Sequence, residues 1–172
     1  TLFPTVRTEI KQQELYESLV GESAEKSQDN YLEAESVDIM NDYRFEAFIA
    51  ALYKKMGYKT ILTSECGDKG IDVLALNGDT NYAIQVKHSK NPIGIQGVQE
   101  AKSGCEYYSN RYGFQFIPML LSNSSFTTSA IDLANGTGVK LIGRDVLFDM
   151  LLSNKVANED VVSCELHRLD RS

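Results

Sequence analysis

Cysteine is scarce in this chain. Its 172 residues hold three, Cys66, Cys105 and Cys164, at wide spacings with no CxxC pair, and only two histidines, His88 and His167, accompany them. That argues against a disulfide framework and a structural zinc site, and it suits a reducing, cytoplasmic compartment. Long apolar runs are missing too: stretches such as Phe116–Leu121 fall far short of a membrane span, and no signal-peptide layout opens the chain. No membrane association is therefore expected. The first residue is Thr1 rather than methionine, which is expected of a piece of a longer protein whose N-terminal signal could lie outside it. Positive charge is in short supply: lysine and arginine number 17 against 24 aspartates and glutamates, a net charge of −7. Taken whole, this is the wrong sign for a nucleic-acid binder. The imbalance is local, however, because residues 1–43 hold 3 basic and 10 acidic side chains, whereas residues 44–172 hold 14 of each. What is present, 42% hydrophobic and 24% charged residues, describes one globular domain with room for an extension and argues against disorder, collagen-like repeats and coiled coil.

Residues 5–20 read as a weakly amphipathic helix and residues 21–40 as a polar, acidic linker, so residues 1–40 form an acidic arm. From Asn41 the pattern sharpens. Phe45, Phe48, Ile49, Leu52, Tyr53 and Met56 mark one face of a helix, with Asn41 or Asp42 as its cap and Gly57 as its stop. A strand is expected over 58–63, a loop over 64–69, and two further strands over 70–77 and 80–88 joined by Gly78-Asp79, a dipeptide suited to a tight hairpin. Val98, Ala101, Cys105 and Tyr108 space a second helix; 114–121 reads as a buried strand, 128–134 as a short helix stopped at Asn135-Gly136, 139–142 as a strand, and Val146, Leu147, Met150 and Leu151 as a last helix. The order implies an α/β fold with a mixed sheet flanked by helices. A core over 41–153 and a tail over 154–172, with an added strand as one option for the tail, complete the reading.

The hairpin carries the chemistry. With Gly78 and Asp79 as its two loop residues, opposed positions sum to 157, so Asp72 lies opposite Gln85 and Gly70 opposite Lys87. Alternation then puts Asp72, Gln85 and Lys87 on one face, and Ile71, Val73, Ala75, Tyr82, Ile84 and Val86 on the other, which is core. Opposed Cβ atoms lie roughly 4.5–5.5 Å apart. A carboxylate and an amide oxygen so placed, with the Val86 backbone carbonyl, suffice for Mg²⁺, which takes oxygen ligands and keeps several waters. The Lys87 ammonium would stand beside the metal-bound water and the attacked phosphate. Glu46, near the start of the first strong helix, is either a fourth member or a solvated glutamate favoured by the helix dipole. Asp72 also reads as a strand-edge aspartate satisfied by Lys87, and Gln85 with Lys87 as an ordinary polar face. His88, on the opposite face from Lys87, reads as a polar strand end or a phosphate contact. Lys69, Lys87 and Lys90 surround the hairpin mouth as phosphate contacts. Cys66 has no neighbouring group that would make it a nucleophile.

The residues Phe45-Glu46, Gly57-Tyr58, Gly67-Asp68-Lys69-Gly70-Ile71-Asp72-Val73 and Gln85-Val86-Lys87 resemble the Mrr-type restriction endonuclease catalytic domain, a branch of the PD-(D/E)xK nucleases. The likeness continues through Phe126-Thr127, Ala130, Ala134, Gly138-Val139-Lys140-Leu141-Ile142-Gly143 and Leu147, about residues 41–152 in all. It implies a restriction-endonuclease-like αβββαβ core plus a further αβα, and Mg²⁺-dependent hydrolysis of double-stranded DNA, with Mn²⁺ as a possible substitute. Asp72 would be the metal-binding aspartate, Gln85 the residue that is glutamate in most of the superfamily, Lys87 the catalytic lysine and Glu46 the supporting helix glutamate. Lys69 departs from a glycine common in the family. Glutamine in place of glutamate removes one negative charge, so metal should bind weakly until DNA phosphate completes its coordination. The expected activity is a restriction or defence nuclease, type II-like or modification-dependent. A junction-resolvase-like nuclease and a non-catalytic DNA-binding module are the alternatives. A homodimer and a recognition domain outside the chain are possible partners, and the acidic arm could mimic DNA over the site or simply be a solvated linker.

Overall fold

A computed structural model of the chain describes residues 30–63 and 69–169. The helix expected over 5–20, most of the acidic arm, and Cys66 with the rest of 64–68 lie outside the described residues. Residues Leu32–Ser172 cluster as one unit. The elements are α1 (Ala34–Asp38), α2 (Asp42–Lys55), β1 (Lys59–Leu62), β2 (Val73–Leu76), β3 (Asn81–Lys87), α3 (Ile95–Tyr112), β4 (Ile117–Ser122), α4 (Thr128–Thr137), β5 (Lys140–Ile142), α5 (Arg144–Ser153) and α6 (Asn158–Leu169). The sheet runs β1-β2-β3-β4-β5, antiparallel from β1 to β3 and parallel from β3 to β5. The two parallel connections are made by α3 and α4, so the mixed sheet flanked by helices is as expected.

Local chemistry accounts for most boundaries. The Asn41 side chain accepts from the Arg44 N–H at 2.9 Å and caps α2, and Gly57 follows its end in the left-handed region at φ +98°. Helix α4 runs through Asn135-Gly136, where a stop was expected, and ends at Gly138 (φ +73°). The hairpin register is the expected one, with Val73 opposite Ile84 and Leu76 opposite Asn81, and Gly78 turns at φ +82°.

Two expectations about the layers need correction. The face shared by Leu74 and Ala83 was expected to be polar, yet both are buried there with Cys105 of α3 and Phe116. Both faces of the sheet are therefore covered. Ile71 joins this α3 layer rather than the one holding Val73 and Ile84, because the chain turns at Gly70 (φ +77°) before the ladder begins. On the other face, α2 is buried nearly all round: Ala47, Ala50 and Ala51 are as covered as Phe45, Phe48 and Leu52. The cover comes from α1, through Val37, and from α6, through Val161 and Cys164. Thus part of the supposed acidic arm belongs to the core, and the tail forms a helix, not an added strand.

Candidate active site

Residues from four elements meet at the end of the hairpin. The ladder between β2 and β3 stops at Val73, and Asp72 continues it differently. Its N–H donates to the Ile84 carbonyl at 2.9 Å, while its Oδ2 accepts from the Val86 N–H at 2.7 Å. Asp72 thus meets β3 through both its N–H and its carboxylate instead of forming a plain ladder pair with Gln85. Its carbonyl is held from β1 by the Thr63 N–H at 3.0 Å. A cavity of about 230 Å³ collects Asp72, Gln85, Val86 and Lys87 with Glu46 and Phe45 of α2. All four side chains expected at the site therefore share one cavity, and Asp72 and Gln85 are almost wholly buried, at 7% and 5% exposure.

Two ion pairs flank this cavity. Lys87 Nζ lies 2.5 Å from Glu100 Oε2 of α3, and Glu46 Oε2 lies 2.8 Å from Arg168 of α6. Sequence reasoning singled out neither partner. Arg168 stands in a stretch that carries no motif. Glu100 could have been suspected from the seven-residue spacing of Gly97 and Gly104, with Ala101 between them, which marks a helix face made for close backbone approach. That approach is real: a Cβ on Gly104 would lie 2.7 Å from the Ile71 side chain, and one on Gly70 would lie 2.8 Å from the Glu100 carbonyl oxygen. Gly70→Ala should consequently cost about 1–2 kcal/mol for the left-handed backbone and about 1–3 kcal/mol more for the displaced helix. Urea unfolding measures this, and an unchanged midpoint would mean that the turn does not carry the contact.

The expected phosphate contacts are dispersed. Lys69 is exposed, with its ammonium 5.8 Å from the Tyr107 ring centroid. Lys90 borders a separate cleft of about 820 Å³ with Asn123 and Arg144. His88 is taken up by packing: Nε2 is 2.9 Å from the Val37 carbonyl, Nδ1 is 4.0 Å from Asp42, and the ring lies 4.9 Å from that of Phe45. It serves as a strut between β3 and the α1–α2 segment and also lines the cavity of Asp72, Gln85 and Lys87. In the second cleft, Arg144 grips Asp38 through two bonds of 2.7 and 2.9 Å, and this guanidinium holds the Asp38 carboxyl below the usual range. Burial pushes the Cys105 and Cys164 thiols up, which leaves both inert.

A divalent cation is implied by the chemistry of this cavity, and the residues fit one. The Gln85 Oε1 atom is buried and, among the described residues, accepts no hydrogen bond, a situation that costs about 1–3 kcal/mol when nothing satisfies the group. The Val86 carbonyl beside it accepts from the Gln85 amide at a long 3.5 Å. With Asp72 these make a set of hard oxygen donors suited to Mg²⁺. No three His, Cys, Asp or Glu side chains gather in one place among the described residues, so such a site would depend on the amide.

The fold recurs in solved structures. A protein of unknown function, AF1548, superimposes with a TM-score of 0.56 at 22% identity over 66% of each chain. The DNA modification-dependent restriction endonuclease AspBHI superimposes with a TM-score of 0.57 at 18% identity, covering 81% of this chain and 39% of its own. The chain thus spans just under two thirds of one neighbour and about two fifths of the other. No curated protein sequence matches it significantly. The sequence model of the Mrr_cat restriction endonuclease domain matches residues 37–151, a stretch that includes every strand and all the cavity residues named above; this chain belongs to that family of nucleases.

Proposed function

We propose that the chain is a Mg²⁺-dependent endonuclease that hydrolyses phosphodiester bonds of double-stranded DNA. The observation that carries this reading is the buried Gln85 Oε1, which has no hydrogen-bond partner among the described residues and shares a cavity with Asp72 and Lys87. Asp72, Gln85 and the Val86 carbonyl would hold the cation, which when bound supplies Lewis-acid polarisation of the phosphate and a more acidic water. Lys87 places a positive charge at the cavity, where it pairs with a phosphate oxygen and offsets the charge that grows during attack. Glu46, anchored by Arg168, adds a fixed carboxylate opposite it. Lys69 and Lys90 would touch the flanking backbone, and with so few basic residues binding should weaken steeply with salt. Target recognition would come from a further domain or partner, and cutting of both strands from a homodimer.

The test is cleavage of supercoiled plasmid, unmodified and methylated, with Mg²⁺, Mn²⁺ or chelator. Nicking is expected with either metal and none with chelator. Lys87→Ala should lower the rate by about 10²–10³-fold, the scale of losing one group that stabilises transition-state charge. Cleavage confined to the methylated plasmid would mark the modification-dependent subtype. Wild-type protein that binds both plasmids and cuts neither would favour the DNA-binding module instead. Because Gln85 is uncharged, calorimetry should find Mg²⁺ affinity weaker than micromolar without DNA; tight binding would contradict the proposed donor set.

A further inference from the structure

Glu100 belongs to no motif that marks the site, and it is not among the walls of the cavity that holds Asp72 and Gln85. Yet its carboxylate is engaged on both oxygens. Oε2 lies 2.5 Å from Lys87 Nζ, and Oε1 accepts from the Gln96 amide at 3.0 Å. The backbone under it is equally fixed. Gly70 packs against the Glu100 carbonyl, and Gly104, one turn on, packs against the Lys69 carbonyl and Ile71. The turn of α3 that bears Glu100 is thereby docked onto the strand approach that ends in Asp72. An exposed, incidental ion pair has no such backing, and a metal ligand would stand among the cavity walls.

We propose that Glu100 is the positioning residue of Lys87: its carboxylate, held by Gln96 and by the glycine contacts of α3, fixes the ammonium at the Asp72–Gln85 cavity before DNA arrives. The inference rests on the nuclease reading for its catalytic consequence but not for the pair itself. A lysine has a long flexible stem and gives up much rotamer freedom when its head is placed. A carboxylate that has already ordered it leaves less to be ordered when the phosphate binds, which is a gain in preorganisation. The same carboxylate is not among the walls of the Asp72–Gln85 cavity, so it would orient the lysine without competing for a cation held there.

Two measurements on the full chain test this. In the first, Lys87 and the exposed Lys90 are trace-acetylated with acetic anhydride and compared by peptide mass spectrometry. Lys87 should react several-fold more slowly than Lys90 in the wild type; the protection should vanish in Glu100→Gln and return in part in Glu100→Asp. Equal labelling of Lys87 in the wild type and Glu100→Gln overturns the pair, whatever the nuclease assay gives. In the second, single-turnover cleavage at saturating DNA should slow by roughly 10- to 100-fold in Glu100→Gln, the scale of a misplaced reacting group. DNA affinity and melting temperature should stay unchanged, and Glu100→Asp should recover part of the rate. Combined with Lys87→Ala, Glu100→Gln should add nothing, because the two act as one unit. A rate at or above wild type, or a full multiplicative loss in the double variant, overturns the positioning role. Wild-type protein inactive on every substrate would remove the nuclease reading and this catalytic consequence together, and the labelling would still decide whether Glu100 holds Lys87.

Discussion

Asp72→Asn should leave the protein folded and cut its cleavage rate by at least about 10²-fold, whereas Asp72→Ala should lose activity and stability together. The difference follows from the two duties of one carboxylate. Asp72 Oδ2 accepts the Val86 N–H at 2.7 Å in a nearly dry setting. Asparagine keeps an oxygen at that place and so keeps the bond, but it removes the negative charge a cation needs. Alanine removes the oxygen as well and strands a buried N–H, a loss of about 1–3 kcal/mol. Paired plasmid-nicking and urea-unfolding measurements separate the two effects. If Asp72→Asn cuts at the wild-type rate, Asp72 is a strand-end acceptor and nothing more.

Phe45→Ala is the substitution with the largest expected cost in stability, about 3–5 kcal/mol, against a total of roughly 5–15 kcal/mol for a domain. Phe45 is fully buried, with its ring centroid 6.1 Å from that of Phe48 and 4.9 Å from that of His88. It is also a wall of the Asp72 cavity. Truncation empties the space beneath His88, whose Nε2 ties β3 to α1 through the Val37 carbonyl. The urea midpoint should fall with little change in slope, and activity should drop even at temperatures where the variant is still folded. A variant with the wild-type midpoint would mean that the α2 stripe does not pack as described.

What could be read beforehand was whatever local geometry dictates. Gly78-Asp79 allows a single hairpin register, and the opposed positions 73 and 84 follow from it by counting. The α2 stripe and its cap are likewise set within a few residues, as Asn41 shows. The polar face of the hairpin misled because alternation says which residues share a face and not what covers it. Leu74 and Ala83 were the clue, since an exposed face has no use for them. The short α1 was hidden in an acidic composition, because its order comes from Val37 and from His88, 51 residues away. Arg168 left no mark in the sequence, and Glu100 only the indirect one of the Gly97–Gly104 spacing, for a related reason. Each meets the site through the way a helix docks, and docking angles are set by distant contacts such as Gly104 on Ile71.

Helix α6 begins at Asn158, after the family match ends at residue 151, yet it supplies the arginine that Glu46 faces and part of the cover over α2. The stretch that relatives share is thus shorter than the stretch that must be kept. Trimming this protein to its family boundary would bare the Cys164 side of α2 to water and leave Glu46 without the Arg168 charge. The product would keep every motif residue and still lose the charge that Glu46 faces and bare an apolar helix face, so a minimal design taken from the motif alone would mislead whoever built it.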